Sequence, residues 1–111
     1  MKKLFIVANW KMNGNKKSNE QLVNYINEKV YKNRKIEVII CPPFTYLTQI
    51  LELKTSSIKI GAQNISENQN GAFTGEISGS MLKDMNIDYV IIGHSERRQM
   101  YNDTNTLIAK K

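Results

Sequence analysis

Four short apolar runs set the limits on what this chain can become. Leu4 to Ala8, Ile36 to Cys41, Ile58 to Gln63 and Tyr89 to Ile92 are continuous rather than alternating. A strand with one wet face alternates apolar and polar residues, whereas an unbroken run of strand length reads as a strand covered on both faces. Between the runs the apolar spacing becomes helical. Leu22, Val23, Ile26 and Val30 follow Ser18 and Gln21, a capping-box pair, and predict a helix from about Ser18 to Tyr31. Tyr46, Leu47, Ile50 and Leu51 predict a short second helix capped by Thr45. Met81, Leu82 and Met85 predict a third after Ser78 or Ser80, and Leu107 and Ile108 begin a fourth capped by Asp103. Asn13-Gly14-Asn15 and Pro42-Pro43 are breaks, and a polar stretch from Asn64 to Ser78 carries Gly71 and Gly75. Strand–helix alternation implies parallel strands with right-handed crossovers. The expected fold class is therefore α/β: four (β/α) units in one domain over residues 1–111, with no linker or repeat.

Composition narrows the function classes. No apolar run approaches the roughly 18 residues that span a membrane. The start, Met1 to Ala8, briefly resembles a signal peptide, but Asn9, Trp10 and Lys11 cut its apolar stretch short. One cysteine, Cys41, excludes an internal disulfide and fits a reducing, cytoplasmic setting. One Cys and one His cannot build a Cys/His metal site, so no metal is expected. The net charge of +6 would suit a nucleic-acid binder. However, thirteen of the sixteen basic residues are Lys, they are scattered, and the densest run, Lys29 to Lys35, falls at a helix end where cations offset the dipole. Neither a nucleic-acid nor a membrane partner is expected.

In parallel α/β sheets ligands bind beyond the carboxyl ends of the strands. Those ends are Asn9-Trp10-Lys11, Cys41-Pro42-Pro43-Phe44, Gln63-Asn64 and Gly93-His94-Ser95-Glu96. His94 is the only histidine of the chain and sits just past the fourth run, with Gly93 before it and Ser95, Glu96, Arg97 and Arg98 after it. The start of a helix or a tight turn there disfavours an imidazolium, so a neutral ring could donate a hydrogen bond to a substrate oxygen. Cys41 has no basic neighbour in sequence and reads as a small buried apolar residue, not a nucleophile.

These motifs resemble, in order and at its spacing, the triosephosphate isomerase family. The matching residues are Asn9-Trp10-Lys11-Met12-Asn13-Gly14, Cys41-Pro42-Pro43-Phe44, Gly61-Ala62-Gln63-Asn64 with Gly71-Ala72-Phe73-Thr74-Gly75-Glu76, and Gly93-His94-Ser95-Glu96-Arg97-Arg98. The resemblance implies a TIM (β/α)8 barrel and an isomerase of glycolysis and gluconeogenesis. That enzyme interconverts dihydroxyacetone phosphate and glyceraldehyde 3-phosphate through an enediolate, without a cofactor. It implies that Lys11 is the cation that binds phosphate and stabilises the enediolate, that Asn9 orients substrate, and that His94 is the electrophile, with Lys11 and His94 the catalytic pair. Ser95 and Glu96 stand behind them, Glu96 near Lys11. It also implies a homodimer whose third loop, here Phe73, Thr74 and Glu76, enters the partner's site, with Glu76 paired to Arg97 of the other copy.

A (β/α)8 barrel needs about 250 residues. The 111 residues here match its first four units, a half barrel, and no glutamate among them stands where the family's catalytic base would. The expectation is an incomplete domain with unpaired edges that is inactive alone and self-associates or folds poorly. A second chain carrying the C-terminal half would restore the barrel. The alternative is a non-catalytic half barrel that only associates with a partner chain.

Overall fold

A computed structural model describes residues 3–30 and 35–111. Strand β1 (Leu4–Asn9) leads to helix α1 (Lys16–Val30), β2 (Ile36–Cys41), a 3-10 turn (Phe44–Tyr46) and α2 (Leu47–Leu53). Then come β3 (Ile58–Ala62), α3 (Gly79–Asp84), β4 (Tyr89–Val90), α4 (Ser95–Met100) and α5 (Asn105–Lys110). The strands lie in the order β1-β2-β3-β4 and every pairing is parallel. These are the four parallel (β/α) units that the alternation predicts, curled into the half barrel that the resemblance implies.

The register sorts the side chains into two faces. Leu4, Ile6 and Ala8 align with Ile36, Val38 and Ile40, and Val38 and Ile40 with Ile58 and Ile60. On that outward face Val38, Ile40, Ile58, Ile60 and Ala62 pack with Val23 of α1, Leu47 and Ile50 of α2 and Leu82 of α3. Each such buried Val, Leu or Ile side chain contributes about 1.5–3 kcal/mol over an exposed one. Phe5, Val7, Glu37, Ile39, Lys59, Gly61 and Tyr89 form the opposite, inner face. A Cβ on Gly61 would stand 2.6 Å from Cys41 Sγ and 3.5 Å from Tyr89 Cβ. The bare backbone lets the Tyr89 hydroxyl cross β3 and donate to Glu37 Oε2 at 2.8 Å.

The first run departs from the expectation of a strand covered on both faces. Leu4, Phe5, Ile6 and Val7 are 66, 57, 51 and 54% exposed. Nothing among the described residues packs against β1 on its free side, as expected of half a barrel.

Several element ends differ from the sequence reading for local reasons. α1 starts at Lys16 because the capping pair is Asn15 with Ser18: Asn15 Oδ1 accepts from the Ser18 amide and Ser18 Oγ from the Asn15 amide. Tyr31, its expected last residue, and positions 31–34 of the basic run lie outside the described residues. α2 is entered through the 3-10 turn after Pro43, and neither Pro43 nor Tyr46 caps with its side chain, so Thr45 is not its cap. Ser78 does cap α3, accepting from the Met81 amide. β3 and β4 end at Ala62 and Val90, short of Gln63 and Ile92. Thr104, not Asp103, caps α5, and the helix start expected at His94 is a separate short element, α4.

Candidate active site

Lys11 follows β1 with a left-handed backbone, φ 55°. A side chain tolerates that conformation at a cost, so surrounding contacts must impose it. Two do. The Lys11 amide donates to Asn9 Oδ1 at 2.9 Å, and its carbonyl accepts from Gln63 Nε2 at 2.8 Å. The same Gln63 nitrogen also donates to the Cys41 carbonyl at 2.9 Å, tying the ends of β1, β2 and β3 together. Sequence reading placed Gln63 at a strand end but gave it no role, because its partners are backbone atoms up to 52 residues away.

His94 is the N-cap of α4, and its Nδ1 accepts from the Glu96 amide at 3.1 Å. With Nδ1 as acceptor, the ring proton of the neutral form is assigned to Nε2, which becomes a donor. Gly93, φ 70°, makes the turn that lifts the ring off the strand, and a Cβ there would stand 2.9 Å from Ile108 of α5. Glu96 joins the two ends. Its Oε1 is 2.6 Å from Lys11 Nζ and its Oε2 is 3.8 Å from His94 Nδ1. The hydrogen bond from Lys11 holds the Glu96 carboxyl below the usual carboxylate range, against partial desolvation. Lys11, Glu96 and His94 therefore occupy one rim, with the Lys11 and Glu96 side chains about half exposed.

Ser95 opens α4 and is exposed. Phe73, Thr74 and Glu76 lie on the exposed loop after β3, where Gly75 takes φ 90°. Arg97 Nε meets Asp103 Oδ2 at 3.0 Å. Asp103 binds cations where the sequence suggests a helix cap. It is buried, and its Oδ2 also meets Lys111 Nζ at 3.1 Å, while Lys111 donates to Asn64 Oδ1 at 2.9 Å. Desolvation pushes its carboxyl up, but the hydrogen bonds from Lys111 and Arg97 outweigh it and leave the carboxyl below its ordinary value. Spacing in sequence carried no signal for this cluster.

Cys41 is buried on the inner face, and burial pushes its thiol up to about 11. Almost none of it is thiolate near neutral pH. Iodoacetamide is expected to label it at least about tenfold more slowly in the native chain than in urea; equal rates would contradict the packing. No group of three or more His, Cys, Asp or Glu that could hold a metal occurs among the described residues. No helix among them is long and apolar enough to cross a membrane.

The family model described as triosephosphate isomerase matches residues 4–111. A triosephosphate isomerase of Alkaliphilus oremlandii is 48% identical over 112 residues, covering 100% of this chain and 45% of the relative. One of Buchnera aphidicola is 48% identical over 115 residues, with 100% and 44% covered, and one of Idiomarina loihiensis 41% over 107 residues, with 96% and 42% covered. The chain thus spans a little under half the length of these relatives.

Proposed function

The chain belongs to the triosephosphate isomerase family, and on that premise we propose that it supplies one side of a site interconverting dihydroxyacetone phosphate and glyceraldehyde 3-phosphate. The observation that carries the proposal is the shared rim, where one residue, Glu96, holds the Lys11 cation with its carboxylate and the His94 imidazole, its Nε2 left to donate, with its backbone amide. Lys11 Nζ faces the phosphate dianion and the charge that develops on the enediolate oxygens. His94 donates from Nε2 to the substrate carbonyl oxygen. Preorganised donors aimed at developing charge stabilise the transition state more than the ground state. Asn9 fixes the Lys11 turn and helps to orient substrate, Glu96 keeps Lys11 in place, and Ser95 stands at the start of α4 behind the ring. No cofactor enters the reaction.

A proton must also leave the substrate carbon, and Glu96 is not placed to take it, being held by Lys11. The 111-residue chain alone is therefore expected to isomerise glyceraldehyde 3-phosphate no faster than buffer. Co-folded with the C-terminal portion of the Alkaliphilus oremlandii relative, it is expected to turn substrate over. Turnover by the chain alone would remove the need for an outside base, and a folded complex without turnover would leave the association reading. That second reading, a half barrel that only binds a partner chain, draws on the exposed apolar β1.

The reading extends to assembly and place. In a homodimer, Phe73, Thr74 and Glu76 would reach the neighbouring site, with Glu76 against Arg97 of the other copy. The reaction is assigned to the cytoplasm, where the lone thiol of Cys41 stays reduced.

A further inference from the structure

We propose that Asn19 and Gln49 are positioning residues for Lys11: together they fix the far end of the turn that carries its ammonium group, an inference that rests on the isomerase reading above. Asn19 is the anomaly that points there. Asn19, Val23, Ile26 and Val30 share one stripe of α1 at helical spacing; Val23 is buried in the core, and Ile26 and Val30 pack against it. Asn19, at the head of the stripe, is 1% exposed, where an apolar side chain would bury without needing a partner. Both ends of its amide are used. Nδ2 donates to Gln49 Oε1 of α2 at 3.0 Å. Oδ1 lies against the bare backbone of Gly14, φ 118°, where an added Cβ would meet it at 2.6 Å.

Gln49 completes the link, since its Nε2 donates to the Lys16 carbonyl at 2.8 Å. Gly14 to Lys16 is the stretch through which the chain leaves the Lys11 turn and enters α1. The exit of the turn is thus held from α2, while its entry is held at the Lys11 backbone by Asn9 and Gln63. Only Met12 and Asn13 lie between the two anchors, and Met12 is 94% exposed. The Lys11 side chain is itself about half exposed, so packing does not aim it; the backbone sets its direction and Glu96 receives it. A turn released at its exit would swing that stem. A misplacement of about 1 Å in a group that must meet substrate can cost on the order of 10²-fold in rate.

The test removes the two amides and keeps their bulk. Asn19→Leu combined with Gln49→Met should leave α1 packed on α2, because replacing both partners of a buried hydrogen bond by apolar groups of like shape is nearly neutral. The urea midpoint of the double variant is expected to stay near that of the wild type. The contact of Lys11 with Glu96 is followed by carbon NMR of labelled glutamate, in the 111-residue chain and in that chain reassembled with the C-terminal portion of the Alkaliphilus oremlandii relative. In the double variant Glu96 is expected to titrate at higher pH than in the wild type, and kcat of the reassembled barrel to fall by about tenfold with a smaller change in KM. Gln49→Met alone, at a partly exposed position, is expected to act in the same direction and serves where the double variant does not fold. Asn27→Ala is the control: Asn27 ties the other end of α1 to α2, donating to the Leu53 carbonyl and accepting from the Thr55 amide. It should lower the urea midpoint and leave Glu96 where it is. A folded double variant whose Glu96 titration and kcat match the wild type overturns the proposal, and so does an Asn27→Ala chain that moves Glu96 as far. A wild-type barrel without turnover would end the isomerase reading and leave the Glu96 comparison to decide this one.

Discussion

Replacing Lys11 with methionine in a barrel reassembled from this chain and the C-terminal portion of a relative is expected to cut isomerase turnover by on the order of 10²–10³-fold or more. That is the cost of deleting one preorganised charge-stabilising group. Methionine keeps most of the lysine's volume and its unbranched stem, so the complex should still form. Its removal also frees Glu96, whose carboxyl Lys11 holds down, so the Glu96 carboxyl should titrate at higher pH in the variant. Carbon NMR of a labelled glutamate reads that shift in the 111-residue chain without any assay of activity. Retained turnover would show that Lys11 is a surface lysine that happens to meet a glutamate. An unmoved Glu96 would show that the 2.6 Å contact does not persist in solution.

Asp103→Ala is expected to lower the stability of the folded chain by about 3 kcal/mol, read as a shift in the urea midpoint. It strips the partner from two cations at once, and one of them, Lys111, has a side chain only 4% exposed. The pH dependence has a definite sign. The Asp103 carboxyl lies lower in the folded chain than in the unfolded one, so its contribution is complete above the unfolded value of about 3.9. It fades as pH falls below that, through the folded value. Wild type and variant should therefore differ at neutral pH and converge in acid. A constant difference across that range would place the loss in packing and not in the charge cluster.

The two halves of this picture were unequally legible in the sequence. The strands announced themselves because a strand covered on both faces is an apolar run, and Ile36 to Cys41 and Ile58 to Ala62 approach that rule, broken only by Glu37 and Lys59 on the inner face. Leu4 to Ala8 obeys it in sequence and not in the fold, where Leu4 to Val7 are exposed. Caps were less legible. Ser18 with Gln21 and Asn15 with Ser18 are both acceptable capping pairs, and only the turn at Gly14, φ 118°, selects the earlier one. Lys11, Glu96 and His94 could be named from their motifs. Gln63, Asp103 and Lys111 could not be assigned their partners, because they act across 6 to 52 residues of chain on groups that no local pattern marks.

The left-handed turn at Lys11 sets durability against usefulness at a single position. Glycine would occupy that turn freely. Against Lys11→Ala, which loses the same ion pair, Lys11→Gly is expected to be the more stable by about 1 kcal/mol, the reverse of the usual order of these two residues. A lower urea midpoint for the glycine variant would mean that the turn relaxes once the lysine is gone. Otherwise the chain keeps its ammonium group where it is at the expense of firmness, and any variant selected only for heat resistance should discard that group early.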